Sequence, residues 1–258
     1  MSGSELPPPG PMALGVDIGG SGIKAAPVDV TTGRLMTKRQ RIPTPRRSTP
    51  AAVSEVVAQL VNRFRWSGAV GCTFPAVIKK GVALSAANVD RSWIGTDVDE
   101  VMTKATGCPV TVMNDADAAG VAEMRWGAGV GRDGVVLMIT LGTGIGTALF
   151  VDGVLVPNTE LGHVVIRGKD AEARASANAR EERKLSWAEW AKLVDEYLLY
   201  LEHLFSPDLF IIGGGVSERS ERFVPLLTVQ ASVVPAAMGN DAGIAGAALH
   251  ALSVAVAP

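Results

Sequence analysis

Cysteine is nearly missing from this chain: Cys72 and Cys108 are the only two in 258 residues. They stand in unrelated contexts without a C-x-x-C spacing, which excludes a disulfide framework and a zinc ribbon and fits a reducing, cytoplasmic setting. No run of about 18 uninterrupted apolar residues occurs, so no membrane span is expected. An excess of one charge is lacking too, with 24 Lys and Arg against 26 Asp and Glu and a formal net charge of −2. That balance offers no attractive field to a nucleic acid, and any polyanion must be held by local groups. Residues 1–11 lack the basic cluster and apolar core of a secretory signal and read as a loose tail. No G-x-x-x-x-G-K-[ST] occurs, so a P-loop is excluded. Gly129, Gly131 and Gly134 satisfy G-x-G-x-x-G only formally, because they follow a helical pattern and precede a strand, the reverse of a dinucleotide site.

What the chain does contain is enough apolar sequence, 47% of residues, for two compact lobes. Residues 14–18 form an apolar run, Gly19, Gly20 and Gly22 turn it, residues 23–30 are extended, and Thr32-Gly33 turns again. The same order returns at residues 135–140, with Gly142, Gly144 and Gly146 as the turn, then residues 147–151 and Asp152-Gly153. A duplicated lobe is the economical reading. Helical stripes cover residues 50–64, 116–126 and 187–205, the last opened by a Ser186/Glu189 capping box, and residues 242–254 form an Ala-rich final helix. Residues 209–212 read as a buried strand running into Gly213-Gly214-Gly215. Residues 171–184 show no apolar period and are expected to form an exposed loop or a solvated helix. The fold expected is α/β: a tail (1–12), a small N-terminal lobe (13–115) and a larger lobe (116–241), with helix 242–254 packing back on the first and a cleft between them.

The Gly turns carry the first chemical signal. Backbone N–H groups of Gly19, Gly20 and Gly22 can approach phosphate oxygens, Ser21 adds a hydroxyl donor, and the strand-end carboxylate Asp17 can hold Mg²⁺ or its waters. A lone turn of this kind is equally a hairpin needing positive φ. A second one at Gly142-Thr143-Gly144 shifts the balance toward two turns that clasp a phosphate chain.

Together, residues 17–24, 73–76, 88–93, 114–117, 140–149, 160–163 and 211–216 resemble the ROK sugar kinases of the actin/Hsp70/hexokinase superfamily, and among them the polyphosphate glucokinases. The resemblance implies a two-lobed, ribonuclease-H-like fold and phosphorylation of glucose at O6, with inorganic polyphosphate and ATP as donors and Mg²⁺ as cofactor. It makes Asp115 the general base, where an isolated Asn-Asp would read as an ordinary helix cap. Lys24, Thr140, Gly213 and Gly214 join the phosphate and metal residues, while Asn88, Asn114, Glu160, His163 and, on resemblance alone, Glu172 are the sugar contacts. Many relatives are homodimers.

One departure from the wider family is the missing Cys-rich loop after His163, so no structural zinc is expected. Basic residues interleaved with acids stand there instead, as a solvated face or a polyanion track. Lys79, Lys80, Arg167 and Lys169 are the nominated lining of that track. The alternatives are a strictly ATP-dependent hexokinase for glucose or mannose, and a sugar-sensing ROK repressor. The repressor needs a DNA-reading module that the dozen residues before Leu14 do not supply.

Overall fold

The computed structural model describes residues 10–86 and 89–256. The chain divides into two compact units, Met1–Met113 with Gly243–Pro258, and Asn114–Ala242.

The first unit opens with β1 (Met12–Ile18), β2 (Ile23–Asp29), β3 (Arg34–Leu35) and β4 (Gln40–Ile42). Helix α1 (Pro50–Arg63) leads to β5 (Val70–Phe74), the small hairpin β6 (Ile78–Lys79) and β7 (Val82–Ala83), α2 (Val98–Thr106) and β8 (Val110–Asn114). The sheet runs β3-β2-β1-β5-β8, with β4 on β2. β1 pairs antiparallel with β2 and parallel with β5. The stripe of α1 (Val53, Val56, Val57, Leu60 and Val61) is buried as its period demands. Thr49 caps its start, its side chain accepting from Ala52 N. β1 begins inside the expected tail, and the Pro11 carbonyl accepts from Val30 N at 3.1 Å; residues 1–9 lie outside the described residues.

The second unit repeats this plan. It contains α3 (Asp115–Trp126), β9 (Val135–Leu141), β10 (Ile145–Val151), β11 (Val154–Val156), the hairpin β12 (Val165–Ile166) and β13 (Lys169–Asp170), α4 (Glu172–Ala175), α5 (Ala177–Glu182), α6 (Trp187–Phe205), β14 (Leu209–Gly213) and β15 (Ser232–Pro235). Its sheet order, β11-β10-β9-β14-β15, matches the five-strand path of the first, which carries β4 in addition. An antiparallel meander is followed by a parallel neighbour in each, β1 with β5 and β9 with β14. The capping box of Ser186 and Glu189 is formed, and α6 buries Trp190, Val194, Tyr197, Leu198 and Leu201.

One expectation changes. Residues 171–184 fold into α4 and α5 with Ala171, Ala175, Ser176 and Ala179 buried, so this segment is packed rather than a loop or a solvated helix. Alanines disguised the pattern: they bury a face without the large apolar residues that mark a stripe. Trp190 Nε1 donates to the carbonyls of Ala175 and Ser176 at 3.0 and 3.1 Å, tying the segment to α6.

The C-terminal helix, Ala242–Val256, lies on the backbone of the first sheet. A Cβ at Gly15 would sit 2.0 Å from the Ile244 carbonyl oxygen, and one at Gly71 would sit 1.8 Å from that of Ala247. Only glycine admits a helix so close. Gly71→Ala should therefore cost about 1–3 kcal/mol or more by overpacking against backbone that cannot give way. A melting temperature several degrees lower is expected in calorimetry, and an unchanged one would refute the packing argument.

Candidate active site

In the first unit, Asp17 ends its strand half-buried and held on both oxygens. Thr73 donates to its Oδ1 at 3.0 Å, and Lys24 Nζ lies 3.2 Å from its Oδ2. Thr73 Oγ1 also accepts from Ile18 N at 3.1 Å, so a fully buried threonine of β5 fixes both carboxylate and turn. Gly19 N donates to Gly22 O at 3.3 Å, closing the first Gly turn, and Gly20 and Ser21 stand exposed at its tip. Two residues unmarked by the sequence motifs brace that turn: Arg41 Nη2 donates to Ser21 O, and Thr44 Oγ1 to Gly19 O. Asp17 is an oriented carboxylate, the hard oxygen chemistry that suits Mg²⁺. No group of three or more His, Cys, Asp or Glu arranged for a metal occurs among the described residues, so phosphate oxygens and water would complete the coordination.

In the second unit the chemistry gathers around the start of α3. Asn114, not Asp115, is the helix cap: its Oδ1 accepts from Ala116 N at 2.8 Å and Asp117 N at 3.1 Å. The helix therefore begins one residue earlier than its stripe indicated, and Asp115 occupies its first turn with an exposed carboxylate. Asp117 was not singled out by the sequence. It is 2% exposed, its Oδ2 accepts from Asn158 N at 2.8 Å, and its Oδ1 has no hydrogen-bond partner among the described residues.

Glu160 precedes the short turn Leu161–His163, which lies against the second Gly turn because Gly162 has no side chain: a Cβ there would meet the Ile145 carbonyl at 2.2 Å. His163 Nδ1 is 2.9 Å from Asp170 Oδ2. That bond, before any other influence, raises the imidazole above its ordinary pKa, and Glu172 and Glu160 add to it. Desolvation raises the Glu160 carboxyl, with His163 opposing and Glu172 reinforcing. Glu172 Oε2 accepts from Ile145 N at 2.8 Å, at the end of the Gly142-Thr143-Gly144 turn, and Asn178 N holds the Gly142 carbonyl at 3.1 Å. On the neighbouring strand, Gly213 registers with Thr140, and Gly214 turns away at φ +82°. Glu160, His163 and Glu172 thus act on one another, Glu172 holds the second turn, and Asp115 and Thr140 belong to the same unit. Asn88 lies outside the described residues.

The nominated polyanion track is less uniform. Arg167 is drawn into an ion pair with Glu196, which also takes Arg174, and Arg180 stacks 3.9 Å above the Trp187 ring. Lys169 is exposed on its hairpin. Lys79 and Lys80 lie at the β6–β7 hairpin, whose Gly81 sits close to the Asp99 and Asp97 carboxylates.

Asp117 yields a pH test. Burial pushes its carboxyl up to about 7, with Glu160 and Asp115 adding and the Asn158 N–H opposing. An unfolded Asp titrates near 4. The stabilisation from this proton is complete below about pH 4 and is lost as pH rises through about 7. Asp117→Asn keeps an acceptor for Asn158 and removes the charge, so the fall in urea midpoint between pH 5 and pH 8 should shrink. Identical falls in parent and variant would refute it.

A family model described as the ROK family matches residues 13–177. The polyphosphate glucokinase of Mycobacterium tuberculosis is 48% identical over 241 residues, covering 93% of this chain and 91% of that protein. The inorganic polyphosphate/ATP-glucomannokinase of Arthrobacter sp. strain KM superposes with a TM-score of 0.89 at 50% identity, covering 95% of this chain and 98% of its own. A ROK family glucokinase from Streptomyces griseus, solved with glucose and AMPPNP, gives 0.81 at 27% identity over 94% and 100%. With two sheets sharing one five-strand order and a family match across more than half its length, this chain belongs to the ROK family and has its two-lobed, actin/hexokinase-like fold.

Proposed function

We propose that this chain is a glucokinase, moving the terminal phosphoryl group of inorganic polyphosphate, and of ATP, to the 6-hydroxyl of glucose with Asp115 as general base. The observation that carries this reading is the exposed Asp115 carboxylate in the first turn of α3, its Oδ1 accepting from Ala116 N at 2.9 Å beside the Asn114 cap, in the unit that also contains Glu160, His163 and Glu172.

The sugar O6 attacks phosphorus, the bond from phosphorus to the bridging oxygen of the donor breaks, and that electron pair leaves with the shortened polyphosphate or ADP. In so loose a transition state the hydroxyl proton moves late, so Asp115 acts chiefly by orienting O6 and then accepting the proton. Asp170, bonded to His163 Nδ1, keeps the ring's Nε2 turned to the sugar, as a donor when the ring is protonated and an acceptor when it is neutral. Glu160 accepts from neighbouring sugar hydroxyls, with Asn114, Asn88 and Glu172 as further contacts. The N–H groups of the Gly19–Gly22 and Gly142–Gly144 turns, with Ser21, Thr143, Thr140 and Lys24, receive phosphate oxygens, and Gly213 and Gly214 leave room for the donor. Asp17 would hold Mg²⁺, which supplies neutralisation of donor charge.

A second reading is favoured by the likeness to a glucomannokinase: mannose is accepted beside glucose. We further take the protein to be cytoplasmic and homodimeric. No helix among the described residues is long and apolar enough to cross a membrane, and α6 exposes Leu199, Tyr200 and Leu204, apolar area that a second copy would cover.

A coupled assay with polyphosphate and ATP run separately, on glucose and on mannose, tests the reading. Turnover of glucose with both donors is expected, and no turnover with polyphosphate would leave the ATP-dependent hexokinase. Asp115→Asn should lower kcat by about 10²-fold or more with the fold intact, and a near-normal kcat would refute the base. Chelation should abolish turnover and Mg²⁺ restore it, while elemental analysis of the dialysed protein should find no stoichiometric zinc.

A further inference from the structure

Residues 30–54 hold six of the chain's 24 basic residues (Arg34, Lys38, Arg39, Arg41, Arg46 and Arg47) and no Asp or Glu. All six are exposed, while the rest of the chain has 18 Lys and Arg against 26 Asp and Glu. The backbone that carries them is pinned at several points. Arg34 lies in β3 and Arg41 in β4, both paired antiparallel with β2, and the chain is held again where Thr44 donates to Gly19 O in the first Gly turn. At its end, Ser48 Oγ accepts from Asp90 N at 3.2 Å and the Ser48 carbonyl accepts from Trp93 Nε1 at 2.7 Å, just before α1. Cations on a pinned backbone keep their spacing.

The register adds an anomaly. Lys24 and Arg41 are directly opposed across β2 and β4. Like charges placed so destabilise a sheet. Here the two cations turn apart, Lys24 to Asp17 and Arg41 to the Ser21 carbonyl, at the turn expected to receive phosphate. No salt bridge forms to Lys38, Arg41 or Arg46 among the described residues, whereas Arg167 is already paired with Glu196. Helix α1, which follows, carries no acidic residue in its first turn to offset its positive end.

We propose that this acid-free segment, from Lys38 to Arg46, is the track along which the polyphosphate chain lies, leading away from the first Gly turn. The inference rests on polyphosphate being a donor. A linear polyanion beyond its terminal phosphates offers no base or ribose to grip, so its affinity comes from a row of cations, and this row touches the turn through Arg41. Lys38, Arg39 and Arg46 are the contacts that a polymer reaches and ATP has little use for, while Arg41, on the turn, serves both donors.

The test is kinetic and uses the full chain. Lys38→Gln, Arg39→Gln and Arg46→Gln, combined, remove three exposed charges, each pair worth a factor of about two, so KM for long-chain polyphosphate should rise about tenfold and KM for ATP distinctly less. Tripolyphosphate, too short to use the whole row, should lose less than the long polymer. Replacing Arg39 and Arg46 with Lys should restore most of the polyphosphate affinity. Lys79→Gln with Lys80→Gln should change KM for the polymer less than the triple variant does. An equal loss for polyphosphate and ATP would place these cations at the shared terminal phosphates and overturn the track, as would no loss at all. Displacement of the polymer by single-stranded RNA at equal charge would overturn its assignment to polyphosphate. A parent enzyme inactive with polyphosphate would instead fail the donor reading, before any variant is made.

Discussion

A single carboxylate, that of Glu172, links the two halves of the chemistry in the second unit. One of its oxygens takes the N–H of Ile145 and so fixes the end of the Gly142–Gly144 turn, and its charge acts on both Glu160 and His163. A hydrogen bond to an ionised acceptor is stronger than one between neutral groups, which suits it to hold a glycine-rich turn that has no side chains to pack. The second Gly turn and the Glu160–His163 pair are thereby both tied to one residue. The packing of α4 and α5 against Trp190 matters for that reason: it gives Glu172 a rigid base.

Charge is sorted between the units although the whole chain is nearly neutral. The second unit sets Glu160, Asp170 and Glu172 around one imidazole, with Asp117 and Asp115 linked to them through Glu160, an arrangement of acceptors suited to hydroxyl groups. The first presents Arg41 and Lys24 at its Gly turn, with the Asp17 carboxylate held by Thr73. Net charge reveals neither concentration.

Much of the architecture was legible in the sequence. The stripe of α1, the capping box of α6 and the twice-repeated strand, Gly turn, strand order all express local rules that tertiary structure had no reason to override. Misses came where the signal is not local. Helix α2 is short, and its stripe buries only Val98 and Met102. Residues 171–184 hid a buried face behind alanines. The partner of His163 is Asp170, which no spacing announces because the β12–β13 hairpin delivers it. Asp117 was visible, two residues after Asp115, but its burial and its half-satisfied carboxylate were not. The basic run was countable in the sequence as an absence of acids over residues 30–54, and a search for named motifs passes over an absence.

The first unit also carries its own chemical reporter. Cys72 is fully buried on β5, immediately before the Thr73 that holds Asp17, and burial keeps its thiol protonated far above the ordinary cysteine range. A thiol in that state does not react, and a reagent reaches it only when the strands part. Its alkylation rate in the native protein is therefore a clock for opening of the sheet that carries Asp17 and the first Gly turn.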